Sequence, residues 1–492
     1  LKQCSKMRIF LLIAVIIGNC LKRSESDSKA TEGPFVACEA ETACTCENED
    51  GEVNCNDIFW TEDEQGEEIY APLRTPNLII KKKDFTPEVA YFRNNDISQL
   101  IEGQILPGHE STLKELDFSF NRIYALINSP FKEMNNLRIL RLGHNKLKRL
   151  KSESFKGGPN WKLHQLYLEY NHLSDLPAAV FDEMPNLEKL VLDGNSKLSL
   201  KRKLFSSNLD RLKMLSIDDC NISNLDDDLF DDLISLEELS VRNNPFTEVP
   251  KALSDIPSLI SLDMSFTDVT ELQVNTFSKN KKLKNLILDS LNYLYIVHDC
   301  AFCGLDALEN VVLSNATELY MIHAGAFGWN HSGMNVAKLT NFNVEFANLT
   351  ALSPNLFDTS ELETAKLGGN RWNCICDMMW ILGSHADFDQ GSKMPICSSP
   401  ETLKGRPLNS LAIQEICPGR LRVSRLILSL FVIVSASMII ILFYYVVTNY
   451  RIRNVFYRPD MPHIGYSNLN RAEEEERKKN AMATTQQSPE NV

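Results

Sequence analysis

Basic charge is scarce in this chain: 51 lysines and arginines face 65 aspartates and glutamates, for a formal net charge of −14 over 492 residues. A protein that tracks nucleic-acid phosphates needs a basic face, so that class of function is excluded. Catalytic signatures are missing as well. The sequence holds no G-x-S-x-G elbow, no H-E-x-x-H pair, no P-loop and no G-x-G-x-x-G. No enzyme activity, cofactor or metal is expected. With hydrophobic residues at 43% and charged residues at 24%, disorder over most of the chain is excluded too. Cysteine, by contrast, is plentiful. Thirteen cysteines suit an oxidising compartment better than the cytosol.

The two ends read as membrane-targeting segments. Taking Met7 as the start, Arg8 is a short basic region and Ile9 to Ile17 an apolar run of nine residues, too short to span a bilayer. Gly18 and Cys20 precede a cleavage point between Cys20 and Ser24, so residues 1–24 form a signal peptide. Residues 426–448 carry no charge and at 1.5 Å per residue cross about 30 Å of hydrocarbon. Tyr444, Tyr445 and Tyr450 crowd one interface. Arginines flank both sides, so the signal peptide sets the orientation: a large outer part and a cytoplasmic tail over 449–492.

Between these ends lies a repeat. The pattern L-x-x-L-x-L-x-x-N-x-L starts at Leu113, Leu137, Leu163, Leu187, Leu212, Leu236, Leu259, Leu283, Leu308, Leu339 and Leu362, after a degenerate copy at Val89. The steps are 23–26 residues except one of 31, where 328–336 reads as an inserted loop. A second column keeps the same step: Phe131, Phe155, Phe181, Phe205, Phe230, Leu253, Phe277, Phe302, Phe327 and Phe357. The last two leucines of each copy point to one side of a short strand. Asn121, Asn145, Asn171 and Asn244 stand where the chain turns, and buried amides there can bond backbone groups left unpaired. No copy can bury its leucines alone, so copies must stack.

These residues resemble the leucine-rich-repeat family in its extracellular form, from about Cys38 to Cys417. The resemblance implies an α/β solenoid, curved, with a parallel β-sheet on the concave face, disulfide-bonded caps and one transmembrane helix. Cys38, Cys44, Cys46 and Cys55 precede the repeats, and Cys374, Cys376, Cys397 and Cys417 follow them. Four cysteines allow three pairings at each end. The family's cysteine flanks imply Cys38–Cys46 with Cys44–Cys55, and Cys374–Cys397 with Cys376–Cys417. Trp372 and Trp380 match the flank's core aromatics. The expected divisions are an N-terminal cap over 25–60, the solenoid over 61–369 and a C-terminal cap over 370–419. Cys220 replaces a ladder asparagine and is expected as a buried free thiol. Cys300 and Cys303 pair with each other, stay reduced or bridge to another molecule.

Outward positions on the concave wall give a candidate ligand surface: Phe120, Arg141, His144, Tyr167, Glu169, Tyr170, Asp193, Asp218, Asp219 and Arg242. Phe120, His144 and Tyr170 share one position in consecutive repeats and should form an exposed aromatic stripe, suited to desolvating a partner. His298 and His323 also share a position, explained by the likeness of their repeats. Sequons at Asn221, Asn315, Asn330 and Asn348 predict glycans. Three of them fall late in the solenoid and leave the earlier concave wall freer. In the tail, Tyr466 and Leu469 fit the Y-x-x-Φ signal read by clathrin adaptors, Glu473 to Lys479 suit a short solvated helix, and the terminus loosely fits a PDZ ligand.

The expectation is therefore a single-pass type I plasma-membrane glycoprotein, an adhesion or recognition receptor binding an extracellular or cell-surface protein, with homo-oligomers open. Two alternatives stand beside it. One is an innate-immune co-receptor or decoy: the outer part resembles Toll-type receptors, but the tail is too short for their cytoplasmic domain. The other is a regulatory or trafficking subunit of another membrane protein.

Overall fold

A computed structural model of the chain describes residues 35–456 apart from 39–43, 48, 59, 63–67, 71–72, 158–160, 179, 330–335, 384–386 and 388–393. The signal peptide, Asn330, Tyr466, Leu469, the 473–479 run and the C-terminus lie outside the described residues, as does most of the 328–336 insertion. The chain forms two units, Leu1–Cys417 and Pro418–Val492.

The first unit is a parallel-strand solenoid of about twelve turns, and its main sheet has 14 strands. Each repeat gives a strand of three residues whose central side chain points inward. Leu116, Leu140, Leu166 and Leu190 lie in register on neighbouring strands and are fully buried. Burying one such side chain is worth about 1.5–3 kcal/mol. No strand could hold its leucine out of water without the strands above and below it, so stability comes from stacking.

The phenylalanine column closes the core from the opposite wall. Phe131, Phe155, Phe181, Phe205, Phe277, Phe302 and Phe327 are all but inaccessible to solvent. Their rings stack from repeat to repeat, as at Phe131–Phe155 (6.3 Å) and Phe181–Phe205 (6.4 Å).

Asparagines stitch the turns together. Asn145 Oδ1 accepts the Ile123 N–H at 2.9 Å, while its Nδ2 donates to the Phe118 carbonyl at 2.9 Å and the Leu142 carbonyl at 3.1 Å. Asn95, Asn121, Asn171, Asn195, Asn244 and Asn370 do the same. Cys220 breaks the series. It is buried and free, and its thiol reaches only the Leu192 and Asp218 carbonyls, at 3.4 and 3.3 Å. Burial pushes that thiol up to about 12.

Both ends of the sheet are finished by other means. At the N-terminus Thr45–Glu47 and Glu52–Asn54 pair antiparallel, and the second of them continues the sheet in parallel with Val89–Tyr91. Disulfides join Cys38 to Cys46 and Cys44 to Cys55. Phe35–Ala37 pairs in parallel with Leu78–Ile80. At the C-terminus the last strand is Thr364–Lys366. The Ala365 N–H donates to the Asp387 carbonyl at 3.1 Å and the Asp387 N–H to the Glu363 carbonyl at 2.7 Å. Disulfides join Cys374 to Cys397 and Cys376 to Cys417. Trp372 is fully buried, its indole donating to the Leu367 carbonyl at 2.9 Å, and Trp380 meets Phe357 edge-on at 6.2 Å. Cys300 and Cys303 are bonded to each other.

The second unit holds the helix Pro418–Phe456. Its stretch Leu426–Asn449 has a mean hydropathy of 2.9 and no buried share, so it is long and apolar enough to cross a membrane.

Candidate functional site

Two residues after each inward strand leucine the backbone turns out of the sheet. The residue just before the ladder position has positive φ in repeat after repeat: Asn94 (53°), Phe120 (58°), His144 (54°), Tyr170 (50°), Gly194 (68°), Asp219 (57°) and Asn243 (51°). Asparagine and glycine tolerate this left-handed region. A phenylalanine or tyrosine does so at a cost of about 1–2 kcal/mol. The chain nonetheless places three rings there in succession.

Left-handed geometry swings each of these side chains towards its neighbour. The Phe120 and His144 rings stack at 4.1 Å with 8° between planes, and His144 and Tyr170 at 4.6 Å with 13°. The Arg93 guanidinium lies over the Phe120 ring, 5.5 Å from its centroid. At the far end the Tyr170 ring lies over Gly194, where a Cβ would collide with it. The column thus runs Arg93, Phe120, His144, Tyr170, and it stops on a glycine. Phe120 and Tyr170 keep 44% and 47% of their surface exposed, so the stripe presents its edge to solvent. His144, half-buried in the stack, is held below its ordinary value by burial first and then by Arg93. It enters neutral solution uncharged.

A row of polar side chains runs beside this column. Towards the N-terminus its charges are matched. Arg93 pairs with Asp117 at 3.6 Å and Arg141 with Glu115, and the hollow between them, about 540 Å³, is lined by Tyr91, Phe120 and His144 as well. Tyr167 sits under two cations, with Arg141 and Lys189 each 5.3 Å from its ring centroid.

The next repeats carry acids. Glu169 folds over Gly143, which has no side chain to obstruct it, and its Oε2 is buried without a hydrogen-bond partner. Asp193 Oδ1 accepts the Asp218 N–H at 2.9 Å. Asp218 Oδ1 accepts the Ser240 hydroxyl at 2.6 Å and the Arg242 N–H at 2.7 Å. Asp219 Oδ1 accepts from Asn243 Nδ2 at 2.6 Å. Arg242 itself leans to Asp263 at 3.7 Å and lies over the Phe266 ring. Burial raises Glu169 and Asp193 above the ordinary carboxylate range. It carries Asp218 to about 6, with the Asp193 charge adding to the effect.

At the first strand position the later concave wall is uncharged, while Asp289 and Glu345 stand where Glu169, Asp193 and Asp218 do in the earlier repeats. Asn310 Nδ2 donates to Asn285, Asn341 Nδ2 to Asn310, and the Thr364 hydroxyl to Asn341. Asn315 occupies the left-handed position beside this ladder and is exposed. Asn221 is exposed and Asn348 half-buried. Among the described residues no group of three His, Cys, Asp or Glu side chains is placed to hold a metal ion.

The ten predicted surface residues therefore fall on one contiguous stretch of wall, spanning six consecutive repeats from Phe120 to Arg242. Arg93 and Tyr91 belong to that stretch and were not predicted, because their repeat is degenerate. Gly194 and Gly143 were not predicted either, since a glycine gives no sign of the ring or carboxylate that will cover it. A separate patch lies off the concave wall. Glu271–Leu272, Ile296–Val297 and Met321–Ile322 form a small sheet of their own, and the exposed Tyr295 and Tyr320 rings stack beside it at 6.5 Å. His298 and His323 sit against Glu271 (2.8 Å) and Asp299 (3.1 Å) there.

Residues 111–162 and 210–269 match the family model described as leucine rich repeat, and residues 270–375 match that of a BspA-type leucine rich repeat region of six copies. Among curated proteins, osteomodulin of Rattus norvegicus is 29% identical over 198 residues, covering 39% of this chain and 43% of its own. Lumican of Gallus gallus is 27% identical over 195 residues, covering 39% of this chain and 54% of its own. The chain thus spans about half the length of these relatives. Among solved structures, a chain of the octameric complex of Latrophilin 3 (Lec, Olf), Unc5D (Ig, Ig2, TSP1) and FLRT2 (LRR) is 17% identical with a TM-score of 0.45, over 76% of this chain and 98% of that one. At that identity the likeness concerns the fold alone.

Proposed function

Leucine-rich repeats build the solenoid of this chain, and we propose that it is a single-pass type I cell-surface glycoprotein that recognises a protein ligand through the concave wall between Tyr91 and Arg242. One observation carries this reading. Three rings occupy backbone positions that disfavour them, stack on one another and remain half exposed. Strain of this kind persists where a surface is put to use, and rigid aromatic edges are the usual anchors of protein interfaces. A preformed wall also lowers the ordering cost of association. Extracellular-type disulfides at both caps and an apolar helix of spanning length support a secreted or membrane setting. Adhesion or recognition is the role that fits a wall of this kind.

The test displays the full chain on cells and screens it with multimerised secreted and cell-surface proteins, this protein included, since multivalency rescues weak contacts. Tyr167→Ala with Tyr170→Ala is expected to abolish binding of a specific hit while surface delivery stays normal. A specific partner that binds the double variant as well as the parent would sink the proposal.

A further inference from the structure

Exposed aromatic rings stand at the left-handed position of the concave wall in four described repeats, at Phe120, Tyr170, Phe266 and Phe346. The first three are covered from the preceding rung. Arg93 lies over Phe120, His144 stacks on Tyr170, and Arg242 lies over Phe266. Phe346 stands in register between Asn315 and Gly369, because Asn310 pairs with Asn341 and Asn341 with Thr364. Its seat is that of Tyr170. A Cβ at Gly369 would collide with its ring, as one at Gly194 would with the ring of Tyr170. The Phe346 side chain keeps 40% of its surface exposed. At the covering position the preceding rung offers it Asn315.

Asn315 is exposed, has a φ of 57° and opens the sequon Asn315-Ala316-Thr317. Its Nδ2 donates to Asp289 Oδ1 at 3.0 Å, in the rung before. An amide nitrogen carries two hydrogens. A sugar that replaces one leaves the second for Asp289, and the new bond then leads away from that rung, onto the Phe346 side. One face of an N-acetylglucosamine ring presents a patch of C–H groups. Laid on an aromatic face, the patch meets the negative side of the ring's quadrupole, and both surfaces leave water. The sugar then does for Phe346 what His144 does for Tyr170. The donor is a lipid-linked oligosaccharide pyrophosphate: Nδ2 attacks the anomeric carbon of its first sugar, the C–O bond to pyrophosphate breaks, the pyrophosphate leaves with the electron pair, and the amide proton passes to a base of the host transferase.

We propose that Asn315 carries an N-linked glycan whose first N-acetylglucosamine lies on the Phe346 ring, so that the later concave wall is covered by the chain's own sugar. This rests on the cell-surface glycoprotein reading and adds to it the place of one glycan and the residue that receives it. Protein recognition is thereby kept to the earlier wall.

The full chain is produced in mammalian cells, held folded in lipid nanodiscs and treated with peptide-N-glycosidase in heavy-oxygen water. Each asparagine that loses its sugar becomes a labelled aspartate, so mass spectrometry times release at every sequon. The enzyme needs the first sugar free of the protein, so docking on a ring slows it. Asn315 is expected to be occupied and to lose its glycan about fivefold more slowly in the parent than in Phe346→Asn, the factor that one aromatic contact supplies. Asparagine already stands at this left-handed position in Asn94 and Asn243, so the variant keeps the backbone. Phe346→Tyr retains the ring and should release as slowly as the parent. Release at Asn221, exposed in an earlier repeat, should be the same in every chain. Equal release at Asn315 from the parent and Phe346→Asn overturns the inference, as does fast release from Phe346→Tyr or a bare Asn315 in a chain glycosylated elsewhere. In each of these cases the glycoprotein reading stands. A chain with no sugar at any sequon overturns both.

Discussion

Asp218→Asn should make the solenoid more stable while weakening its ligand binding. The carboxyl is raised from 3.8 to about 6 by burial in a row of like charges. A folded-state value above the unfolded one means that the folded protein holds the proton more tightly. The associated stability is full below the unfolded value, near 3.8, and is lost as pH rises through about 6. At pH 7.5 the parent therefore carries the whole penalty. A shift of about 2 units corresponds to about 3 kcal/mol, and residual solvent contact reduces this to about 1–2 kcal/mol. Asparagine removes the charge and keeps an oxygen for the Ser240 hydroxyl and the Arg242 N–H. With an unfolding entropy of about 2 cal/mol/K per residue over the solenoid, the gain is a Tm rise of about 1–3 °C. Melts of parent and variant at pH 7.5, 5.5 and 4 check it. The rise should shrink towards zero as pH falls, because the parent then protonates Asp218 and becomes like the variant. An unchanged or lower Tm at pH 7.5, or a gain of the same size at every pH, would refute the reasoning.

Gly194→Ala places a methyl group under the Tyr170 ring at a φ of 68°. It should cost about 1–2 kcal/mol in a thermal melt and, by tilting Tyr170 off its seat, weaken any partner that the Tyr167/Tyr170 pair supports. Cys220→Asn restores the interrupted ladder with a side chain of nearly the same volume. It should gain about 1 kcal/mol, read as a higher melting temperature.

Much of the architecture was legible because two columns of apolar residues kept the same step along the chain. The leucines and phenylalanines report a periodic core directly, and the asparagines report the turn, because few other side chains both accept and donate there. The aromatic stripe was legible for the same reason, since equal register puts Phe120, His144 and Tyr170 on one line. What the pattern could not give is the direction of long, flexible side chains. That Arg141 goes to Glu115 and Arg242 to Asp263, leaving Asp193 and Asp218 without a cation, depends on rotamers rather than register. The Cys300–Cys303 bond was left open because a three-residue spacing permits both states. Pairing of Phe35–Ala37 with Leu78–Ile80 escaped because it joins segments with no repeat signature.

The finishing of the sheet has a consequence for assembly. A stack of identical rungs invites its own continuation, since the open edge of one molecule is a template for the first rung of the next, and head-to-tail contacts of that kind grow into filaments. Here the leading edge is the antiparallel strand Thr45–Glu47, whose Cys46 is bonded to Cys38 and has its carbonyl already taken by Lys82 Nζ at 2.9 Å. The trailing edge is already occupied where Asp387 bonds Ala365 and Glu363. Both ends of the solenoid axis are thus already engaged, which leaves the broad faces for contact between molecules.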